Sequence, residues 1–185
     1  WVAAYDAWSL TWIERVRPIM LRRLAARIAR RSVGLILGGG GARGLVHIGI
    51  LRELEEAGVM VDRLGGTSIG ALIGSVWATG LRGDDLEEVC YAELVRRNPF
   101  ADWQFRSTGL ARGERVRAAC IRAYGAGRVI EGLPRLFSAS SVDLLSGTRQ
   151  LHRRGPLIES VMAASRFPGL FPPFPTPDGR LLIDG

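Results

Sequence analysis

The stretch Gly38-Gly39-Gly40-Gly41-Ala42-Arg43-Gly44 decides how this chain folds, because it ends an apolar run and precedes a helical pattern. The run before it, residues 33–37, reads Val-Gly-Leu-Ile-Leu and is typical of a buried parallel strand. Residues 44–57 carry apolar side chains at helical spacing, and Gly58 follows as a stop signal. Strand, glycine loop and helix together predict the first unit of an α/β protein.

Along the rest of the chain, apolar residues at helical spacing alternate with short apolar runs that are typical of strands. Residues 59–64 form the approach to Gly65-Gly66, and residues 168–177 form a proline-rich loop. The remaining predicted helices cover residues 69–78, 84–96, 112–123 and 156–164, and the remaining predicted strands cover residues 135–143, 148–152 and 181–183. This alternation favours an α/β sandwich with a mainly parallel sheet.

The pentapeptide Gly66-Thr67-Ser68-Ile69-Gly70 fits the pattern G-x-S-x-G of a nucleophile elbow. A serine on a strained strand-to-helix turn needs glycines two residues away, because side chains there would collide with neighbouring backbone. The helix that follows directs its N-terminal N–H groups and dipole at negative charge forming beside Ser68. Such matches also occur by chance in glycine-rich chains, so the motif depends on its context.

The glycine loop has three interpretations. As an oxyanion hole, the N–H groups of Gly39, Gly40 and Gly41 hold a developing negative charge. As a dinucleotide cradle, the loop satisfies G-x-G-x-x-G up to Gly44, and Asp62 lies near the position of a ribose-binding acid. As a plain turn, it has no chemical role. The serine motif that follows favours the oxyanion hole, with Arg43 either holding the loop or attracting an anionic head group.

A nucleophilic serine needs a proton acceptor, and Asp184 is the better candidate. It follows the apolar run 181–183 and precedes Gly185, at the strand end where sites of α/β folds lie. His47 is expected to be a partly buried helix residue, and His152 is expected to be exposed beside two arginines. A plain Asp-Gly turn remains the alternative, and a histidine beyond residue 185 is also left open.

Composition restricts the function classes. At 185 residues and 47% hydrophobic, the chain can form one domain with a core, and we expect it to be a fragment that lacks the closing elements of that domain. The net charge is +7 and every basic residue is arginine, which favours anionic surfaces; without a nucleic-acid motif, lipid is favoured over nucleic acid. Cys90 and Cys120 lack metal spacing and indicate buried residues of a reducing compartment. No metal and no cofactor are expected.

Residues 1–31 differ from the remainder, 32–185, and are expected to form a basic linker segment. Four aromatic residues lie near the start, and arginines are dense from Arg15 to Arg31. A helix from Pro18 would place Leu24 and Ile28 near one face. Such a helix can lie at a membrane interface, although a helix with an apolar stripe more often packs on protein.

Taken together, these motifs resemble the patatin-like phospholipase family, and within it the neuropathy-target-esterase-type branch. The resemblance covers residues 32–185 and includes two further segments, Ala164-Ser165-Arg166-Phe167-Pro168 and Asp184-Gly185. It implies a three-layer α/β/α sandwich, a Ser68-Asp184 dyad, and Gly39, Gly40 and Gly41 as oxyanion donors. Arg43, Gly44, Gly66, Gly70, Ser165 and Pro168 would support that site.

The same resemblance implies a carboxylester hydrolase that acts on phospholipids or lysophospholipids. We expect a cytoplasmic protein with peripheral contact to an anionic membrane, and an upstream cyclic-nucleotide-binding domain in the longer chain. The alternative function is a non-catalytic lipid- or nucleotide-binding module that uses the glycine loop.

Overall fold

The computed structural model describes residues 18–104 and 109–185. The aromatic residues near the start of the chain, and Arg15, therefore lie outside the described residues. The chain divides into two compact units, Trp1–Val33 and Gly34–Gly185. In the first unit, helix α1 spans Pro18–Ile28, and its Leu24 and Ile28 are exposed.

From Val33 onward, helices and strands alternate along the chain. The helices of this part are α2 (Val46–Glu56), α3 (Ile69–Ala78), α4 (Gly83–Cys90), α5 (Glu114–Tyr124) and α6 (Leu157–Ala164). The strands of the sheet are β1 (Val33–Leu37), β2 (Val61–Gly66), β3 (Leu136–Asp143), β4 (Arg149–His152), β5 (Phe174–Pro175) and β6 (Leu181–Asp184). Short 3-10 turns span Gly41–Leu45 and Ile130–Gly132, and a π-helical turn, Tyr91–Arg96, continues α4.

The sheet is mixed: β1 pairs with β2, β2 with β3, β3 with β6 and β6 with β5, while β4 also pairs with β3. Strand β2 runs parallel to β3, whereas β4 and β6 run antiparallel to β3 and β5 runs antiparallel to β6. The predicted α/β fold is therefore confirmed, with the parallel part of the sheet at its start. Two hairpins, β3–β4 and β5–β6, form the later part of the sheet. Their connections are short, and a short connection can join only antiparallel neighbours.

The core lies between the sheet and helices α3 and α6. All ten residues of α3 are buried, because this apolar helix packs against the sheet and against helices on its other sides. The close approach of α3 to β2 requires a small residue at Gly74, where an added Cβ would lie 2.5 Å from Leu64 Cδ2. Alternate residues of β3 face this core, and four of them are buried: Phe137, Ala139, Ser141 and Asp143.

Two predicted elements differ in detail from the structure. The region predicted as one helix over residues 84–96 is α4 followed by the π-helical turn. The proline-rich loop predicted over residues 168–177 contains the short strand β5, which pairs with Leu181 and Leu182 of β6. Proline is tolerated there because β5 lies at the edge of the sheet.

Candidate active site

Ser68 lies on a strained turn between β2 and α3. Its φ of 53° and ψ of −131° place a non-glycine residue in a conformation that side chains rarely adopt. The Ser68 N–H donates to the carbonyl of Ala164 at 2.8 Å, and the Ser68 carbonyl accepts from the amides of Ala71 and Leu72. The surrounding backbone therefore holds the serine in this strained conformation. Strained residues that are held in this way cluster at functional sites.

The two glycines of the serine motif are required by the close approach of backbone. A Cβ added at Gly66 would lie 2.6 Å from the carbonyl oxygen of Gly70, and one added at Gly70 would lie 2.2 Å from that of Leu37. Gly44 is constrained similarly, because its Cβ would meet Ile69 Cγ2 at 2.0 Å. The turn therefore accommodates the Ser68 side chain because the residues two positions before and after it are glycines.

Replacing Gly70 by alanine should destabilise the fold, whereas the same change at Gly49 should not. The new methyl group of Gly70→Ala would overlap the Leu37 carbonyl, so we expect the free energy of unfolding to fall by about 2–3 kcal/mol. Gly49 lies in α2 with nothing within 4 Å, so Gly49→Ala should raise that free energy by about 0.5–1 kcal/mol. Urea unfolding followed by circular dichroism measures both values. Equal effects of the two changes would contradict the steric argument.

Strands β2 and β6 bring Ser68 and Asp184 together. Ala139 pairs with both Gly66 and His152, and Ser141 pairs with both Asp184 and Gln150. Strand β4 therefore occupies one edge of β3, while β2 and β6 share the other edge and meet there by their C-terminal ends. Two residues of β3, or about 7 Å, separate the two ends.

Asp184 is half-buried at this junction. Its Oδ1 accepts a hydrogen bond of 3.0 Å from the Thr67 hydroxyl, and its buried Oδ2 has no hydrogen-bond partner in the described part of the chain. Burial raises the pKa of Asp184 above its ordinary value, although the hydroxyls of Ser68 and Thr67 and the amide of Gly185 act against this rise. A carboxylate with a raised pKa and a free oxygen beside a serine hydroxyl is suited to accept a proton.

The glycine loop lies against Ser68. A Cβ added at Gly39 would lie 3.1 Å from Ser68 Cβ and 3.7 Å from Ser68 Oγ. Gly40 and Gly41 have φ values of 153° and 57°, which glycine adopts at little cost. Within the described residues, the amides of Gly39 and Gly40 donate no hydrogen bond, so they remain available for an anion.

His47 holds the beginning of this loop. Its Nε2 lies 2.9 Å from the carbonyl oxygen of Gly38, and because a carbonyl only accepts, Nε2 carries the proton. His152 lies at the end of β4, where its Nε2 is 2.8 Å from Ser141 Oγ. It is half-buried rather than exposed, and burial, followed by the charge of Arg180, lowers its pKa. Both histidines of the sequence are therefore engaged away from Ser68 Oγ.

An apolar cavity of about 920 Å³ opens over these groups. Gly39, Gly40, Gly41, Ser68 and Asp184 lie in its wall. Its apolar walls include Leu72, Leu94, Val95, Phe100, Phe167, Leu170 and Phe171. Leu94 and Val95 come from the π-helical turn, an irregularity that often accompanies functional sites. The cavity therefore offers polar groups at one place and an apolar surface around them, as ligand sites commonly do.

The predicted supporting residues lie at or near this cavity. Ser165 and Pro168 line it, and the Ser165 hydroxyl is engaged with the carbonyl of Val161 at 2.7 Å. Arg43 also lines the cavity with an exposed side chain, and no ion pair involves it among residues 18–104 and 109–185. Gly44, Gly66 and Gly70 shape the backbone around the serine, as described above.

Asp62 does not suit the dinucleotide interpretation of the glycine loop. It lies in β2, is 1% exposed and is absent from the cavity wall, so a bound ribose has no access to its carboxylate. The cavity beside the loop is instead largely apolar.

Sequence reasoning missed Thr67, the variable second residue of the serine motif. Its hydroxyl contacts Asp184, although the two residues are 117 positions apart. It also missed the carbonyl of Ala164, which binds the Ser68 amide. No local pattern reports these contacts, because each depends on the pairing of distant strands.

Comparison with known proteins identifies the family. Residues 35–185 match the family model of the patatin-like phospholipases. An uncharacterized NTE family protein of Mycobacterium tuberculosis is 38% identical over 183 residues, which cover 95% of this chain and 31% of that protein. The lysophospholipase NTE1 of Coccidioides immitis is 34% identical over 169 residues, covering 88% of this chain and 10% of that protein.

A solved structure also shares the fold. The crystal structure of VipD from Legionella pneumophila is similar with a TM-score of 0.56 at 15% identity, covering 83% of this chain and 46% of that one. The chain belongs to the patatin-like phospholipase family, as the sequence resemblance predicted. It spans less than a third of the two relatives named above.

Among residues 18–104 and 109–185, no helix is long and apolar enough to span a bilayer. The same residues also contain no cluster of three or more His, Cys, Asp or Glu residues placed to hold a metal ion.

Proposed function

We propose that this chain is a serine lipid acyl hydrolase, which cleaves carboxylester bonds of phospholipids or lysophospholipids through Ser68 and Asp184. One observation carries the proposal: Ser68, the carboxyl of Asp184 and the unpaired amides of the glycine loop line the same apolar cavity. Membership of the patatin-like phospholipase family and the similarity to a lysophospholipase support the lipid substrate.

Acyl transfer would proceed in two steps. Asp184 Oδ2 accepts the Ser68 hydroxyl proton as Oγ attacks the ester carbonyl carbon, and the carbonyl electrons move to the oxygen. The amides of Gly39 and Gly40 donate to this oxyanion, each such donor being worth roughly 3 kcal/mol in comparable sites. The oxyanion then re-forms the carbonyl and expels the alcohol, which takes the proton from Asp184. Water attacks the acyl-enzyme with Asp184 again as base, and the acyl–Oγ bond breaks as Ser68 Oγ recovers the proton.

The cavity walls suit the acyl chain of such a substrate. A lipid chain that leaves water for the surface formed by Leu72, Leu94, Phe100 and Phe171 gains about 0.8 kcal/mol for each methylene it buries. The exposed Arg43 at the cavity wall is placed to attract an anionic head group. The glycine loop thus faces the ester while the apolar wall holds the chain.

Ser68→Ala should abolish both turnover and covalent labelling. A fluorophosphonate probe reacts with an activated serine, so the parent protein should incorporate one probe while Ser68→Ala incorporates none. Hydrolysis of p-nitrophenyl acyl esters should fall to the uncatalysed level. Ser146→Ala, in the turn between β3 and β4, serves as a control and should be labelled like the parent. Labelling that persists without Ser68 would reject the nucleophile, and an unlabelled parent would favour a non-catalytic binding module.

Asp184→Asn should remove the acidic limb of the pH–rate profile together with most of the activity. The base must be ionised, so activity should fall as the pH drops through the pKa of Asp184, which burial raises above the ordinary aspartate value. The limb should therefore lie above that ordinary value, and kcat/KM of Asp184→Asn should fall at least 1000-fold, on the order of the loss at other catalytic dyads and triads. Asp178→Asn, an exposed carboxyl on the β5–β6 turn, should leave the profile unchanged. Near-parent activity of Asp184→Asn would point to another base.

Peripheral contact with an anionic membrane belongs to the same proposal. Arg22 and Arg27 are exposed on α1 beside the exposed apolar Leu24 and Ile28, a combination that favours an anionic lipid surface.

Reversing the charge of two arginines on α1 should weaken vesicle binding. Each basic residue near an anionic surface contributes about 1 kcal/mol, so Arg22→Glu with Arg27→Glu should lower binding to phosphatidylglycerol-containing vesicles at least ten-fold at low salt. Arg153→Glu with Arg154→Glu changes the net charge equally and should leave binding within about two-fold of the parent. Vesicle sedimentation measures both, and equal losses for the two pairs would show that only net charge matters.

A further inference from the structure

The hydroxyl of Thr67 has an unusual number of partners for one side chain. It lies 3.0 Å from Asp184 Oδ1, 2.8 Å from the carbonyl oxygen of Gly185 and 3.2 Å from that of Ser140. The same oxygen accepts from the amide of Gly185 at 3.2 Å. A hydroxyl has one proton and two lone pairs, so the three acceptor oxygens share one proton while the amide fixes a lone pair.

The contacts of Thr67 fasten three strands, β1, β3 and β6, to one residue. The Thr67 amide donates to the carbonyl of Leu37 at the end of β1. Its hydroxyl reaches Ser140 in the middle of β3 and Asp184 at the end of β6. Thr67 itself directly follows β2, so one residue connects the two strands that meet on the edge of β3.

The Thr67 hydroxyl binds one oxygen of the Asp184 carboxylate and leaves the other without a partner among the described residues. Thr67 occupies Oδ1 of Asp184, whereas Oδ2 is buried and has no hydrogen-bond partner in the described part of the chain. With Oδ1 engaged, rotation of the carboxyl group about its χ2 angle would break the contact with Thr67. The free oxygen is therefore kept in one position, in a residue that lines the same cavity as Ser68.

We infer that Thr67 is a positioning residue, whose hydroxyl holds the carboxylate of Asp184 by Oδ1 so that Oδ2 alone receives the Ser68 proton. This inference rests on the proposed function and adds to it a residue that touches neither substrate nor reacting atom. A purely structural role for Thr67 predicts a loss of stability with no change in the ionisation of the base. A positioning role predicts a change in both rate and pH dependence.

The test compares Thr67→Val, which loses the hydroxyl at nearly constant volume, with Thr67→Ser, which keeps it. The measured quantity is the second-order rate of fluorophosphonate labelling of the full chain between pH 4 and 9, alongside kcat/KM on p-nitrophenyl esters. Thr67→Val should lower both about 10- to 100-fold, the range for outer-shell positioning groups. Thr67→Ser should stay within about three-fold of the parent.

The decisive measurement is the acidic limb of the pH–rate profile, the pH range over which the labelling rate and kcat/KM fall as the base is protonated. The groups that face the Asp184 carboxyl are the hydroxyls of Ser68 and Thr67 and the amide of Gly185, and none of them titrates in this range. The Thr67 hydroxyl lowers the pKa of Asp184, so its removal should move the limb of Thr67→Val to higher pH. Thr67→Ser should keep the parent limb.

Thr79→Val serves as a matched control. Thr79 is also half-buried and also bonds a main-chain carbonyl, that of Val76 at 2.7 Å, but it lies at the end of α3 away from the cavity wall. Thr79→Val should leave both the labelling rate and the acidic limb of the pH–rate profile unchanged. If Thr67→Val does not fold, as judged by circular dichroism, Thr67→Ala provides the same comparison.

Each outcome bears on one hypothesis. A Thr67→Val protein with the parent rate and limb overturns the inference, as does equal loss in Thr67→Val and Thr67→Ser without a shift of the limb. A parent protein that is not labelled at Ser68 overturns the proposed function itself. Labelling of the parent with an unchanged limb in Thr67→Val leaves the hydrolase proposal intact and rejects only the role of Thr67.

Discussion

The structure depends on one constraint, the meeting of β2 and β6 end to end along the same edge of β3. Strand β2 pairs in parallel with the first half of β3, and β6 pairs antiparallel with the second half. Their C-terminal ends therefore approach each other, and the residues that follow or end them, Ser68 and Asp184, become neighbours. The pairing of these two strands with β3 is therefore sufficient to bring Ser68 and Asp184 together.

Burial at this junction creates a competition that determines the chemistry of Asp184. Taking a carboxylate out of water raises its pKa, whereas the hydroxyls of Ser68 and Thr67 favour the ionised form. A carboxylate that water fully solvates is a weaker base, because nothing raises its pKa. At Asp184 half-burial raises the pKa, and the two nearby hydroxyls limit that rise.

The rest of the site follows from the same backbone. Gly66, Gly70 and Gly44 allow the chain segments around Ser68 to approach closely, and the resulting turn places the glycine loop against the serine. The histidines have other contacts, His47 with the carbonyl of Gly38 and His152 with Ser141. The chain thus brings Ser68 and Asp184 together within a mixed sheet in which β2 and β3 form a parallel pair.

Sequence alone determined the elements and the local motifs of this protein, because helical and strand periodicity and glycine-rich turns are short-range signals. The strand before the glycine loop, the helix after the serine and the strand that ends in Asp184 are all where the patterns placed them. Only the tertiary structure decided which residues meet. The contact of Thr67 with Asp184 spans 117 positions and depends on strand register, and the free Oδ2 depends on that contact. A one-residue change in the pairing of β6 would turn the carboxylate to the opposite face of the sheet, and no local pattern in the sequence encodes that register.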